Sequence, residues 1–266
     1  MIAAWVVYAL LVGTLVGAGA LVVDTLLRAH RMPTRWVWAT GLVLSVAWPL
    51  GHLAWRYWPR AGPTLPSAGS GGVAVLDPLT VEVGRESFLR SLDDPILAVW
   101  GVASLVLLGL SVLLVLRTRR MRRDWKAGEV GGFGVLFSRN LGPAVVGFFR
   151  QEIVIPGWCR NLEDQTLGLI LDHEMEHLRA GDLRLMLATG FLLIFFPWHL
   201  PVWWQYARLR LAVEGDCDLR VVRKHPEHTR SYLELLLEVG GRSPPVPALV
   251  AMLSEPEETL ERRIRI

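Results

Sequence analysis

Residues 173 to 177 read HEMEH, which supplies the residue types that a metal-dependent hydrolase needs. On a helix His173 and His177 are four residues apart, so both imidazoles lie on one face and can offer neutral nitrogens to one ion. Glu174 follows the first histidine directly and can act as a base on a water bound to the same metal, the logic of the HExxH pattern. Zinc suits this donor set, and the chemistry would be hydrolysis by an activated water. Solvated helices carry the same letters by chance, so the reading needs support from elsewhere in the chain.

A catalytic zinc normally takes a third protein ligand and keeps one position for water. Downstream, RLRLAVEGDCDLRVV reads as a second helix, although Gly215 weakens it. There Glu214, Cys217 and Asp218 fall at i, i+3 and i+4, on one face, and any of them could complete the site. Glu214 is preferred, because two histidines and a carboxylate leave an acidic water position. Asp218 could instead accept a hydrogen bond from the second nitrogen of a histidine. Cys217 could ligate, but a small buried thiol is the commoner fate.

These groups need positioning. Residues 161 to 181 are expected to be the HEMEH helix, with Asn161 as its cap, Asp164 at the third helical position and Gly181 as its stop. Upstream of it the chain is apolar: 52% of all residues are hydrophobic and the mean hydropathy is +0.36, too high for an ordinary soluble domain. Residues 2–23 contain no charge, and at 1.5 Å per residue they reach about 33 Å, enough to cross a bilayer core. Residues 36–55, bracketed by Trp36 and Trp55, and residues 95–116 are two further spans.

The flanks orient them. DTLLRAHRMPTR holds three arginines and one aspartate, and RTRRMRRDWK holds six basic residues and one aspartate. Residues 56–94 carry four arginines and five acids around GPTLPSAGSGG. The positive-inside rule then puts the N-terminus and loop 56–94 outside and the chain after residue 117 in the cytoplasm. The arginines at 117–123 are read as headgroup anchors. A net charge of +3 with no aromatic-basic stripe gives no reason to expect direct nucleic-acid binding. Two cysteines, Cys159 and Cys217, without a CxxC, give no disulfide framework and are expected as reduced thiols.

HEMEH followed by Asp182, then PWHLPVWW, then an arginine-rich run into EGDCD, resembles the membrane metallopeptidases of the β-lactam-sensing transducers, the BlaR/MecR type. GPAVVGFFRQEIVIPGW is similar to that family's strand segment before the zinc helix, and LERRIRI to the end of its core. The resemblance covers residues 95–266, with the first two spans matching only in hydropathy. It implies His173, His177 and Glu214 as zinc ligands, Glu174 as catalytic base, and a cytoplasmic protein substrate such as a transcriptional repressor or the chain itself. His199 stands where the family commonly has asparagine, and an ionisable group at membrane depth is a functional candidate by default. No SxxK pattern occurs and the sequence stops just after RRIRI, so a C-terminal sensor domain and β-lactam sensing are not expected of this chain, and a separate sensor or repressor protein would be its partner.

The expected fold is therefore a mainly α-helical integral membrane protein of the cytoplasmic membrane. Residues 1–116 would form the membrane region with three transmembrane helices, and residues 117–266 a cytoplasmic α+β zinc-peptidase domain of gluzincin type with a small sheet. His173 and Glu214 must meet at one Zn2+, so the apolar stretch 185–204 between them cannot cross the bilayer once. It is expected as a broken hairpin, a re-entrant element or a helix packed on the membrane, with Pro197 and Pro201 at the break. Asp182 and Asp218 are the candidates for orienting the histidines. QEIVIP is β-rich, and Glu152, Ile153, Val154 and Ile155 could form an edge strand that pairs with an extended substrate. Arg208, Arg210 and His228 are candidate oxyanion donors. A heat-shock or CAAX-processing type of membrane gluzincin is a rival, against which ExxCD argues. A non-catalytic scaffold that keeps the fold is another; it would have no chemical need for Glu174 beside both histidines.

Overall fold

The computed structural model describes residues 2–58, 91–139 and 141–242. Helices α1 (Ile2–Ala29), α2 (Arg35–Tyr57) and α3 (Asp93–Arg122) are each long and apolar enough to cross a membrane, and each overruns the span expected from hydropathy into its polar flanks. Most of loop 56–94 and all of LERRIRI lie outside the described residues.

On α1 the buried positions are Ala3, Ala9, Gly13, Gly17, Ala20 and Asp24, a stripe of mostly small residues at helical spacing that lets other backbones come close. A Cβ at Gly13 would stand 2.3 Å from His199 Cε1, and one at Gly17 2.6 Å from the Trp204 ring, so both positions need glycine. The opposite face, with Leu11 and Leu15, is exposed, and α3 buries no residue. The Asp93 carboxylate at the head of α3 accepts from the backbone N–H groups of Ile2 and Ala3 at 2.9 and 3.1 Å, which holds the first turns of α1 and α3 together.

After α3 come strands β1 (Lys126–Val130), β2 (Phe133–Ser138), β3 (Ala144–Val146) and β4 (Glu152–Pro156), in sheet order β1-β2-β4-β3. Gly131 and Gly132, at φ +58° and +82°, make the tight turn from β1 to β2. β4 runs parallel to β2 and antiparallel to β3; Ile153 is paired with Val135 on one side and Val145 on the other. QEIVIP is thus not an edge strand: Ile153 and Val154 have both sides taken, Glu152 pairs with Val146 of β3, and Ile155 pairs with Phe137 of β2 and is buried in the core. The run of three buried apolar residues is what an interior strand shows. The edges belong to β1 and β3.

Gly157–Asn161 is a 3-10 turn, so Asn161 lies before the HEMEH helix instead of capping it. α4 (Asp164–Ala180) starts after Glu163 and stops, as expected, at Gly181 with φ +69°. α5 (Asp182–Phe195) and α6 (Leu200–Lys224) follow, then a 3-10 turn at Pro226–His228 and α7 (Thr229–Arg242). Residues 185–204 are thus a broken helical hairpin. Its break falls at Phe196–His199, and Pro201 sits in the first turn of α6, where a missing N–H is tolerated. At the tip, Trp198 packs 5.7 Å from Trp5 and 5.4 Å from Trp100, and Trp100 Nε1 donates to the Phe195 carbonyl at 2.6 Å. α5 therefore rises to the end where α1 and α3 begin, and α6 returns. In the return, Gln205 Nε2 donates to the Gly13 carbonyl at 2.8 Å and lies 2.9 Å from Ser45 Oγ, a buried polar knot among α1, α2 and α6. His199 is buried at the turn, with neither ring nitrogen hydrogen-bonded among the described residues. It lies fifteen residues before Glu214 on α6, about 22 Å along the helix, and does not reach the candidate site.

The core of the second half joins sheet, α4, α6 and α7 through Ile153, Ile155, Leu169, Ile170, Val221 and Tyr232. A separate cluster of Ala20, Trp38, Leu209 and Val213 seats α6 on α1 and α2. α6 is the element shared by both.

Candidate metal centre

Leu169, Ile170 and Leu171 bury one side of α4 in the core, and this fixes the helix's rotation about its axis. His173 and His177 then present their rings together, with centroids 4.7 Å apart and planes at 87°. Their Nε2 atoms stand 3.1 Å from each other. Glu214 arrives from α6, with Oε2 3.8 Å from His173 Nε2 and 3.7 Å from His177 Nε2. Donors about 2.1 Å from a tetrahedral zinc stand about 3.4 Å apart, so these three atoms surround a point that such an ion would fit. The hairpin makes this possible: it returns Glu214 to the end from which α5 left.

Each histidine is held from behind by a different kind of partner. His173 Nδ1 lies 2.8 Å from the Tyr232 hydroxyl, which donates its own proton to Asp218 Oδ1 at 2.7 Å. The phenol oxygen must then accept from Nδ1–H, which leaves Nε2 as the metal-facing lone pair. His177 Nδ1 donates to Asp182 Oδ2 at 2.9 Å, with the same consequence for its Nε2. Burial opposes a charge on His177, but the Glu214 carboxylate and the Asp182 hydrogen bond outweigh it and hold its pKa well above the ordinary value. Surroundings that favour a proton there favour a cation.

Glu174 is buried, on the same turn of α4 as the histidines. Cys217 also comes close: one nitrogen of each histidine and its Sγ lie within 4.8 Å of one another. Its contact on His173, however, is at Nδ1 (3.5 Å), and it also donates to the His173 carbonyl at 3.4 Å. Burial pushes the thiol pKa up to about 11, although a hydrogen bond with His177 works against this, so Cys217 stands beside Glu214 as a second group within reach of the histidines.

Among the expected oxyanion donors, Arg208 lies 5.8 Å from the rings of both Trp38 and Trp204. Arg210 sits one turn before Glu214 on the same face of α6. His228 accepts from Gln165 Nε2 at 2.8 Å, two turns before His173 along α4, and is away from the centre. The edge strand packed against α4 is β3, not β4.

Tyr232, Arg35, Glu176 and Arg220 were not singled out in the sequence, although all four belong to the surround of the centre. Arg35 Nη1 donates to Asp182 Oδ1 at 2.6 Å, and Arg220 bridges Glu176 (3.2 Å) and Asp182 (3.3 Å). Tyr232 had one signal, a phenol among the leucines of SYLELLL, since a buried tyrosine needs a partner for its hydroxyl.

A family model described as BlaR1 peptidase M56 matches residues 85–266, the larger part of the chain. No curated protein matches.

Proposed function

The chain belongs to the BlaR1 peptidase M56 family, and on that premise we propose that it is a membrane-embedded zinc metallopeptidase that hydrolyses a peptide bond in a cytoplasmic protein. The observation that carries this is the convergence of His173 Nε2, His177 Nε2 and Glu214 Oε2 with Glu174 buried beside them. Bound zinc would supply an acidified water and a polarised scissile carbonyl. Glu174 takes the proton of the attacking water on its carboxylate and delivers it to the leaving amine. Asp182, and Tyr232 with Asp218, hold the two rings in the tautomer that keeps both Nε2 lone pairs on the metal side. Arg210 is the candidate for facing the developing oxyanion. The free side of β3, beside α4, replaces β4 as the strand on which an extended substrate would pair.

Three apolar helices and the basic residues at the ends of α1 and α3 support insertion with the centre on the cytoplasmic side. The substrate is a repressor-like protein or a second copy of the chain, within a signalling pathway. The test is cleavage of a peptide library by the protein in lipid nanodiscs. Glu174→Gln is expected to lose at least about 100-fold in rate while keeping its zinc. Equal cleavage by the variant would remove Glu174 as the base.

A further inference from the structure

Arg35 belongs to the first turn of a membrane helix, yet its guanidinium ends one residue away from a histidine of the metal centre. We propose that Arg35 is a positioning residue for His177, acting through Asp182, and that the turn between α1 and α2 is thereby part of the peptidase site. The inference rests on the metallopeptidase reading above.

Asp182 is buried, and its two oxygens are used differently. Oδ1 accepts from Arg35 Nη1 at 2.6 Å; Oδ2 accepts from His177 Nδ1 at 2.9 Å and from Arg220 Nη2 at 3.3 Å. A carboxylate behind a ligating histidine fixes the ring and raises its basicity, and it can do so only while it is itself held. Arg35 makes the shortest of these contacts. Without it, a buried carboxylate keeps one cation at the longer distance and is free to rotate about its Cβ–Cγ bond.

Independent contacts place Arg35. The backbone N–H of Thr34 lies 3.0 Å from each Asp216 oxygen, and that of Arg35 lies 3.0 Å from Oδ2. Asp216 is two residues after Glu214 on α6, so the helix that brings the third ligand also grips the start of α2. In the same turn Arg31 has φ +53°, a conformation uncommon for a residue other than glycine, and its carbonyl accepts from Arg223 Nη2 of α6 at 2.6 Å. The turn is thus clamped to α6 at two points, and Arg35 reaches from it to Asp182. A shift of the α1–α2 hairpin against α6 would move Arg35 relative to Asp182 and turn the His177 ring. This is a route by which a change among the membrane helices reaches the centre.

Zinc affinity of the full chain in nanodiscs, measured with zinc alone by chelator competition, tests this. Arg35→Gln is expected to bind zinc about tenfold more weakly than the parent, the lower end of what loss of such a partner costs. In an Asp182→Asn background the same change is expected to add no further loss. Arg28→Gln, in the last turn of α1 and paired with Asp24 and the Thr34 hydroxyl, is expected to match the parent. Parent-like affinity for Arg35→Gln, an undiminished loss in the Asp182→Asn background, or an equal loss in Arg28→Gln would each overturn the proposal. Should Arg35→Gln not fold, Arg35→Lys carries the test: a smaller loss that again vanishes with Asp182→Asn is expected, and parent affinity overturns it. A folded parent without zinc would instead overturn the metallopeptidase reading beneath it.

Discussion

His173 and His177 face the same point but are held by different parts of the molecule. Behind His173 stands Tyr232 of α7, backed by Asp218 of α6, a neutral hydroxyl inside the core formed with the sheet. Behind His177 stands the carboxylate of Asp182, backed by Arg35 from the apolar helix α2 and Arg220 from α6. One ring answers to the core built on the sheet and the other to the apolar helices at the start of the chain. The difference also has an electrostatic side. A charged hydrogen-bond partner is about twice as strong as a neutral one and raises the basicity of the imidazole; at His177 the Asp182 hydrogen bond adds to the larger pull of the Glu214 carboxylate.

The comparison can be broken by cutting each support in turn. Asp182→Asn takes the charge from behind His177, and zinc affinity is expected to fall about 10- to 100-fold; a value near the parent's would deny the charged support its larger share. Tyr232→Phe is expected to cost less, about tenfold at most, because Asp218 Oδ1 already lies 3.5 Å from His173 Nδ1 and can take over the hydrogen bond. A loss larger than that of Asp182→Asn would reverse the order of the two supports. Smallest of all is Cys217→Ser. Zinc content should stay the same, and a cobalt-substituted parent should lack a thiolate charge-transfer band. Such a band would make Cys217 a ligand in place of Glu214.

Much of the centre was legible because it is local. The spacing of His173, Glu174 and His177 needs only a helix, and Glu214 is preferred over Cys217 and Asp218 on the same face because two histidines and a carboxylate leave an acidic water position. The broken hairpin at 185–204 is one of three arrangements expected from the demand that His173 and Glu214 lie at one end of the molecule. The misreadings came where the partner is distant. Ile153, Val154 and Ile155 look alike in an edge strand and an interior one until β3 is known to lie alongside. Asn161 is a good cap by type, but the 3-10 turn Gly157–Asn161 uses it before the helix begins. Arg35 counted in the sequence only as one basic residue of a flank, since nothing within the flank reveals that Asp182, 147 residues on, will meet it.

The most direct test of the account is the zinc content of the detergent-purified chain beside its Glu214→Ala variant. About one zinc per chain in the parent, largely lost in the variant, is the result expected when Glu214 completes the centre with His173 and His177. Metal-free but folded parent protein, or a variant that keeps its zinc, would contradict it.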